Sequence, residues 1–255
     1  MLPYIQLGAL HIGSRSIYPY GILVMAGIIA GTAMLVWRAG RLGLDRNLAF
    51  RLSAVAVLCG MVGAHLLRVL FFQPALFSRG ASVLFHISQG GLYSFGGLAG
   101  GIAGGFYFLR FCNLGAATCW DYFDLLAFSF PFGWIFGRAG CAVAHDHPGI
   151  RAYNWLSVNF PGGSRYDLGL LEFLFTIPAI ALFLWLDRRP RPAGFYLGLW
   201  LIIYGTFRVC LDRLHEPGAP RFLLTPDQAW GLLATVAGVF ILVKVFRDGC
   251  SAIAR

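Results

Sequence analysis

Seven stretches of about 20 apolar residues dominate this chain, and each is long enough to cross the hydrocarbon core of a bilayer as a helix. They lie near 17–37, 49–72, 92–111, 118–137, 168–186, 194–212 and 227–246. Between them run polar or Gly/Pro-containing segments, RAGRLGLDRN, QPALFSRGAS, DRRPRP and HEPGAPRFLLTPD, and one long segment from Gly140 to Asp167. A lipid-exposed backbone must satisfy its own hydrogen bonds, which spans of this length do as helices. The expected fold is therefore an all-α integral membrane protein. It is a single polytopic domain over 1–255 with about seven transmembrane helices, its N-terminus outside and its C-terminus cytoplasmic. Composition agrees, because 58% hydrophobic and 12% charged residues leave too little polar surface for a soluble domain of this size. The opening MLPYIQLGALHIGSRS lacks a basic start, an apolar centre and a small-residue cleavage site, so no cleaved signal peptide is expected.

The net charge of +9 comes almost wholly from arginine, and the arginines punctuate the spans instead of forming a soluble basic face. That pattern points to anionic lipid head groups as partners and to no nucleic acid. The compact clusters RAGRLGLDR and DRRPRP fit cytoplasmic loops under the positive-inside rule. Several of the arginines on the outer side abut helix ends, as if kept there for another task. The third span carries Gly96, Gly100 and Gly104 at four-residue spacing, which lets a neighbouring backbone approach closely and suits a central helix. The six cysteines show no CxxC pairing and most fall inside apolar runs, so no disulfide framework is expected.

With that topology the polar residues inside the spans converge on the outer leaflet. Tyr20 opens the first span, Arg138 follows the fourth, and Glu172 lies about a turn into the fifth. Tyr204, Arg208 and Asp212 recur every four residues in the sixth, on one helix face, and Asp227 and Gln228 open the seventh. An arginine at membrane depth costs about 2.5–3.5 kcal/mol on insertion scales, so several at one depth need partners and imply a polar cavity. Asp121 and Asp124 sit at the inner start of the fourth span, where the helix dipole favours acids.

In order along the chain, these residues resemble the bacterial prolipoprotein diacylglyceryl transferases. That family's Gly-Arg-x-Gly-Asn-Phe and following Gly-Glu are similar to Gly137-Arg138-Ala139-Gly140-Cys141-Ala142 and His145-Asp146. The preceding Pro131-Phe132-Gly133, the opening Tyr20-Gly21, Leu170-Leu171-Glu172, the run Tyr204-Gly205-Thr206-Phe207-Arg208 with Asp212, and the tail TPDQAWGLL match in the same order. The chain departs from the family where Phe95 replaces a histidine, Cys141 an asparagine, His65 an arginine and His145-Asp146 the Gly-Glu, marking a divergent member.

The resemblance implies transfer of a diacylglyceryl group from phosphatidylglycerol to the lipobox cysteine thiol in a prolipoprotein signal peptide, releasing glycerol phosphate. It places the chain in the bacterial plasma (inner) membrane with its site facing the outer leaflet. Arginine suits a departing phosphate because its fork stays charged and donates bidentately, so Arg138 and Arg208 take that role. Glu172 and Asp212 brace the arginines or meet glycerol hydroxyls. Tyr20 and Tyr204 donate to the head group, Gly137 and Gly140 keep the turn around Arg138 open, and Asp146 lies at the rim. With Phe95 unable to accept a proton, His145, His147, His65 and His215 are the candidate bases, with His145 favoured for its place after Arg138. No cofactor and no metal are expected. Histidines two apart diverge on a strand or helix, and His145 and His147 show no third and fourth ligand in the sequence. Two alternatives stand beside this reading: a catalytically inactive homologue binding lipid or lipoprotein precursors, and an anion or lipid transporter.

Overall fold

The computed structural model describes residues 1–12, 15–72, 94–216 and 224–253. A hairpin of β1 (Leu10–Ile12) and β2 (Arg15–Ile17) leads into α1 (Pro19–Arg41). Then come α2 (Arg46–Leu67), ending in a π-helical turn over Arg68–Phe72, α3 (Ser94–Phe111) and α4 (Ala116–Ala144). Three strands follow, β3 (Pro148–Arg151), β4 (Ser157–Phe160) and β5 (Gly163–Asp167), and then α5 (Leu168–Leu186), α6 (Phe195–Asp212) and α7 (Pro226–Ile253). Among the described residues, 6 helices (α1, α2 and α4 to α7) are long and apolar enough to cross a membrane. The first two positions of the expected third span, the side chain of Phe95, the segment QPALFSRGAS and the middle of HEPGAPRFLLTPD lie outside the described residues.

The outer faces of these helices belong in lipid. Only 11% of the apolar window is buried in each of α1 and α7. Ile22, Met25 and Ile29 on α1 and Val236, Phe240 and Val243 on α7 all point outward. Such a surface is unfavourable in water and neutral among acyl chains. The chain is a mostly helical multi-pass membrane protein.

One expectation is corrected. The fourth span does not stop at 137, because α4 continues to Ala144 and carries Arg138, Gly140 and Cys141 in regular helix. Gly137 and Gly140 therefore open no turn. Beside the helices, the segment after α4 forms a small three-stranded antiparallel sheet in the order β3-β5-β4. Its strands are four or five residues long, too short for a period-two hydrophobic pattern to stand out in the sequence. Gly163 closes the β4–β5 turn at φ +112°, a conformation that strains any residue with a Cβ. The N-terminal segment joins this sheet, with Leu2 N–H donating to Ser157 O at 2.7 Å and Asn159 N–H to Leu2 O at 3.0 Å.

The chain forms two compact units, Leu35–Tyr122 and Met1–Met34 with Phe123–Arg255. In the first, the glycine row of α3 lies against α2. A Cβ on Gly63 would collide with the Gly96 carbonyl, and one on Gly100 with that of Cys59. In the second unit, α6 and α7 meet through the facing pairs Gly198/Gly238 and Gly205/Gly231, where a Cβ on Gly205 would lie 2.6 Å from the Gly231 oxygen. Close backbone approach of this kind replaces the hydrophobic effect as the force between helices in lipid.

An aromatic column fills the second unit. Phe128 meets Tyr196 edge-on at 4.9 Å, Phe183 packs on both Phe128 and Trp200, and Trp200 stacks on Tyr204 at 5.2 Å. At the opposite end of α6, Gly194 supplies no side-chain cap, and Asp124 Oδ1 accepts the Leu197 N–H at 2.9 Å instead. The acid expected to serve the dipole of its own helix thus serves the start of α6. Replacing Asp124 with alanine is expected to cost about 1 kcal/mol, as loss of an N-cap does. Thermal unfolding in detergent checks this, and an unchanged midpoint would remove the capping role.

Candidate active site

Four helices each contribute to one buried polar cluster. On α4, Trp134, Arg138 and Cys141 follow at intervals of four and three and share a face. On α5, Glu172 stands in the second turn, fixed by an N-cap in which Asp167 accepts the Leu170 N–H at 3.1 Å. On α6, Tyr204, Arg208 and Asp212 are all buried along one face. The start of α7 is a capping box: Gln228 N–H donates to Thr225 Oγ1 at 3.1 Å, and Thr225 N–H donates to Gln228 Oε1 at 3.4 Å. Pro226 takes the first helical position, where its missing N–H costs nothing. Asp227 is thereby held in the first turn, facing α6.

Glu172 is the hub. Its carboxylate is 1% exposed, accepts from Trp134 Nε1 at 3.2 Å, Tyr204 Oη at 2.7 Å and Arg208 Nη1 at 3.2 Å, and forms an ion pair with Arg138 Nε at 3.1 Å. Arg208 Nη2 also donates to Asp227 Oδ2 at 2.6 Å. Arg138 lies over the Trp134 ring, 4.4 Å from its centroid, and points Nη1 at Cys141 Sγ, 3.8 Å away. Two guanidinium groups are thus carried by two carboxylates, with indole and phenol donors filling the remaining lone pairs. Desolvating such ions costs several kcal/mol each, so pairing with the two carboxylates is what makes the burial tolerable. The fixed cationic forks suit an anion with several oxygens, such as a phosphate ester.

The other expected residues fall elsewhere. Asp212 was expected to brace Arg208 from the next turn; it accepts from Thr225 Oγ1 at 2.7 Å, tying α6 to the α7 cap, and Arg208 turns to Glu172 and Asp227. His145 is the left-handed residue that closes α4, at φ +52° with its N–H bonded to Cys141 O at 2.9 Å. Its Nδ1 meets Asp167 Oδ2 at 2.6 Å, its Nε2 meets Ile5 O at 3.2 Å, and its ring stacks on Tyr4. Both nitrogens are engaged, so this geometry ties the sheet to the N-terminal segment and offers no support for a base. Tyr20 is half-exposed at the start of α1, its ring against Gly140, beside a cleft of about 330 Å³ lined by Tyr18, Val143 and Ala144. Gly137 has open space beside it. His65 is buried on α2, in the other unit.

Two histidines near the cluster are perturbed in opposite directions. Hydrogen bonds to the Asp146 carboxylate and the Cys141 sulfur push His147 up to about 9 against some desolvation. Burial, aided by the Arg208 cation, holds His215 below the ordinary imidazole range. The donor atoms of Cys141, Asp146 and His147 all lie within 4.8 Å of one another. The His-Asp-His spacing does not reveal the Cys141 sulfur, which the reversal at His145 brings alongside Asp146 and His147.

Trp134 and Asp227 complete the cluster and were not among the expected site residues. Trp134 had a signal, standing one helical turn before Arg138. Asp227 was visible as an acid at the outer depth, but its choice of Arg208 over a merely capping role depends on the α6–α7 contact.

Known proteins are similar to this chain over most of its length. The family described as prolipoprotein diacylglyceryl transferase matches residues 8–244. The protein named phosphatidylglycerol–prolipoprotein diacylglyceryl transferase in Mannheimia succiniciproducens is 34% identical over 82% of this chain and 79% of its own length. Proteins of the same name in Pseudoalteromonas atlantica and Pseudoalteromonas translucida are 31% and 27% identical, each over 96% of this chain and over 91% and 95% of their own lengths. The buried arginines, their shared glutamate and the Gly-Arg-x-Gly turn of helix all fall inside the matched region, and the chain belongs to the prolipoprotein diacylglyceryl transferase family.

Proposed function

We propose that this protein transfers a diacylglyceryl group from phosphatidylglycerol to the lipobox cysteine of prolipoproteins, releasing glycerol phosphate. The observation that carries the reading is the buried pair Arg138 and Arg208, joined through Glu172 at the positions where the family's motifs fall. The lipid phosphate docks against the two guanidinium forks, and the thiol attacks the glycerol carbon bonded to it. The C–O bond breaks, and its electron pair leaves with the phosphate, whose growing charge the arginines stabilise. Tyr204 and Trp134 keep Glu172, and through it both arginines, in register.

The same reading places seven spans across a bacterial inner membrane, with the N-terminus outside, the C-terminus cytoplasmic and the cluster at the outer leaflet. Membrane lipids and the signal peptide then reach the site laterally. Purified protein in detergent, given phosphatidylglycerol and a lipobox peptide, is expected to release glycerol phosphate in step with peptide lipidation. Folded protein that releases none from any phospholipid would overturn the proposal.

A further inference from the structure

We propose that Cys141, Asp146 and His147 hold a divalent cation of the zinc class, with an open coordination position that takes the substrate thiol. The second half of this inference rests on the transfer reaction proposed above; the first does not.

The donor set is a thiol, a carboxylate and an imidazole, the three ligand types zinc takes from proteins. Their ligand atoms lie within 4.8 Å of one another, with His147 Nδ1 and Asp146 Oδ1 sharing a hydrogen bond at 2.5 Å. A tetrahedral zinc site sets donors about 3.3–3.8 Å apart, so the cation replaces the proton of that pair, spreads the two donors and draws them towards Cys141. Cys141 is buried and fixed on α4, while His147 is half-buried and Asp146 exposed. The site is thus anchored on one side and adjustable on the other. Arg138 Nη1 already points at the sulfur from 3.8 Å. A donor there suits a metal-bound thiolate, as an outer-shell hydrogen bond to the ligand. Three protein ligands leave one position open, the form zinc takes at catalytic rather than structural sites.

That position would serve a need the arginine cluster does not meet. Thiol alkylation requires a thiolate, Phe95 stands where the family has a histidine, and His145 has both nitrogens engaged. A thiol that binds the cation is deprotonated outright. The incoming thiol displaces a water and its proton passes to bulk water. The sulfur then forms its bond to the glycerol carbon as the C–O bond to phosphate breaks. No redox change occurs, and glycerol phosphate is the leaving group. Cys141 lies on the same helix face as Arg138, so the thiolate is generated beside the forks that hold the phosphate.

Cobalt(II) reports the site by its thiolate-to-metal charge-transfer absorption. Full-length protein, chelator-washed in detergent, is expected to show this band at one cobalt per chain and to lose it on adding zinc. Cys141→Ser removes the band and His147→Ala weakens cobalt binding by about tenfold or more. A variant with the other five cysteines replaced keeps the band, which separates loss of the ligand from loss of the fold. Absence of the band in the parent, or its survival in Cys141→Ser, overturns the site. A lipobox cysteine peptide is expected to raise the band towards that of two thiolates, and its serine analogue to leave it unchanged. A cobalt band indifferent to the cysteine peptide overturns the thiol-binding role alone. Zinc-loaded protein with an intact site but no glycerol phosphate release counts against the transfer reaction, not against the metal.

Discussion

Replacing Glu172 with glutamine is expected to destabilise the protein by about 3–5 kcal/mol, the cost of leaving a buried charge without its partner. Two donors, Trp134 and Tyr204, and the Arg138 cation converge on Oε1, and Arg208 donates to Oε2. An amide can keep its oxygen towards one set only, so its NH₂ must face a donor on the other side. With the oxygen left at the Oε1 position, Arg208 retains Asp227 but meets an N–H where it had a carboxylate. The opposite rotamer exposes Arg138 Nε, the tyrosine and the indole to the amide donors, which is worse. Thermal unfolding in detergent measures the loss. Adding Arg208→Met to the glutamine variant removes the stranded cation and is expected to recover part of the stability. A glutamine variant that unfolds with the parent, or a second exchange that gives no recovery, would mean that the carboxylate is not the hub.

The membrane class and most helix bounds were legible because lipid imposes a length and a polarity that few other sequences meet. The α2–α3 contact was half legible, since the Gly96, Gly100 and Gly104 row announces a close approach without naming the partner. The facing glycines of α6 and α7 went unread because their spacing of seven becomes meaningful only when the helices are set antiparallel. The end of α4 was misplaced for a physical reason: Arg138 looks like a stop for an apolar span, yet Glu172 compensates its charge from another helix and lets the backbone continue as helix. The residue types that meet at Glu172 were legible in the sequence. The pairing was not, since Arg208 and Asp212 at i,i+4 are a ready ion pair in any isolated helix. Asp227 and Thr225 reassign both residues, and they do so through an α7 cap that lies 13 residues past Asp212 for the Thr225 bond. Likewise His-Asp-His shows two diverging imidazoles until the turn at His145 brings Asp146 and His147 back to Cys141.

Lysine at position 138 or 208 is expected to separate what these residues do for the fold from what they do for the reaction. Lysine preserves the charge balance with Glu172 and Asp227, so each variant should fold with a smaller loss than alanine causes. It cannot preserve the geometry. Arg138 uses Nε for Glu172 while Nη1 reaches towards Cys141, and Arg208 uses two separate nitrogens for two carboxylates. A single ammonium must abandon either the carboxylate or the space where a phosphate would sit. In the proposed reaction the arginines act on charge that grows as the C–O bond breaks, so the deficit belongs in kcat more than in KM. Removing one such preorganised donor is worth about 10²–10³ in rate. Glycerol phosphate release by Arg138→Lys and Arg208→Lys should therefore fall by at least about 100-fold while unfolding shifts little. Alanine at either position should lose the same activity together with stability, because it removes one of the two cations that balance the buried carboxylates. A lysine variant that turns over at the parent rate would reduce that arginine to a counter-ion for Glu172, and would move phosphate recognition to the remaining guanidinium.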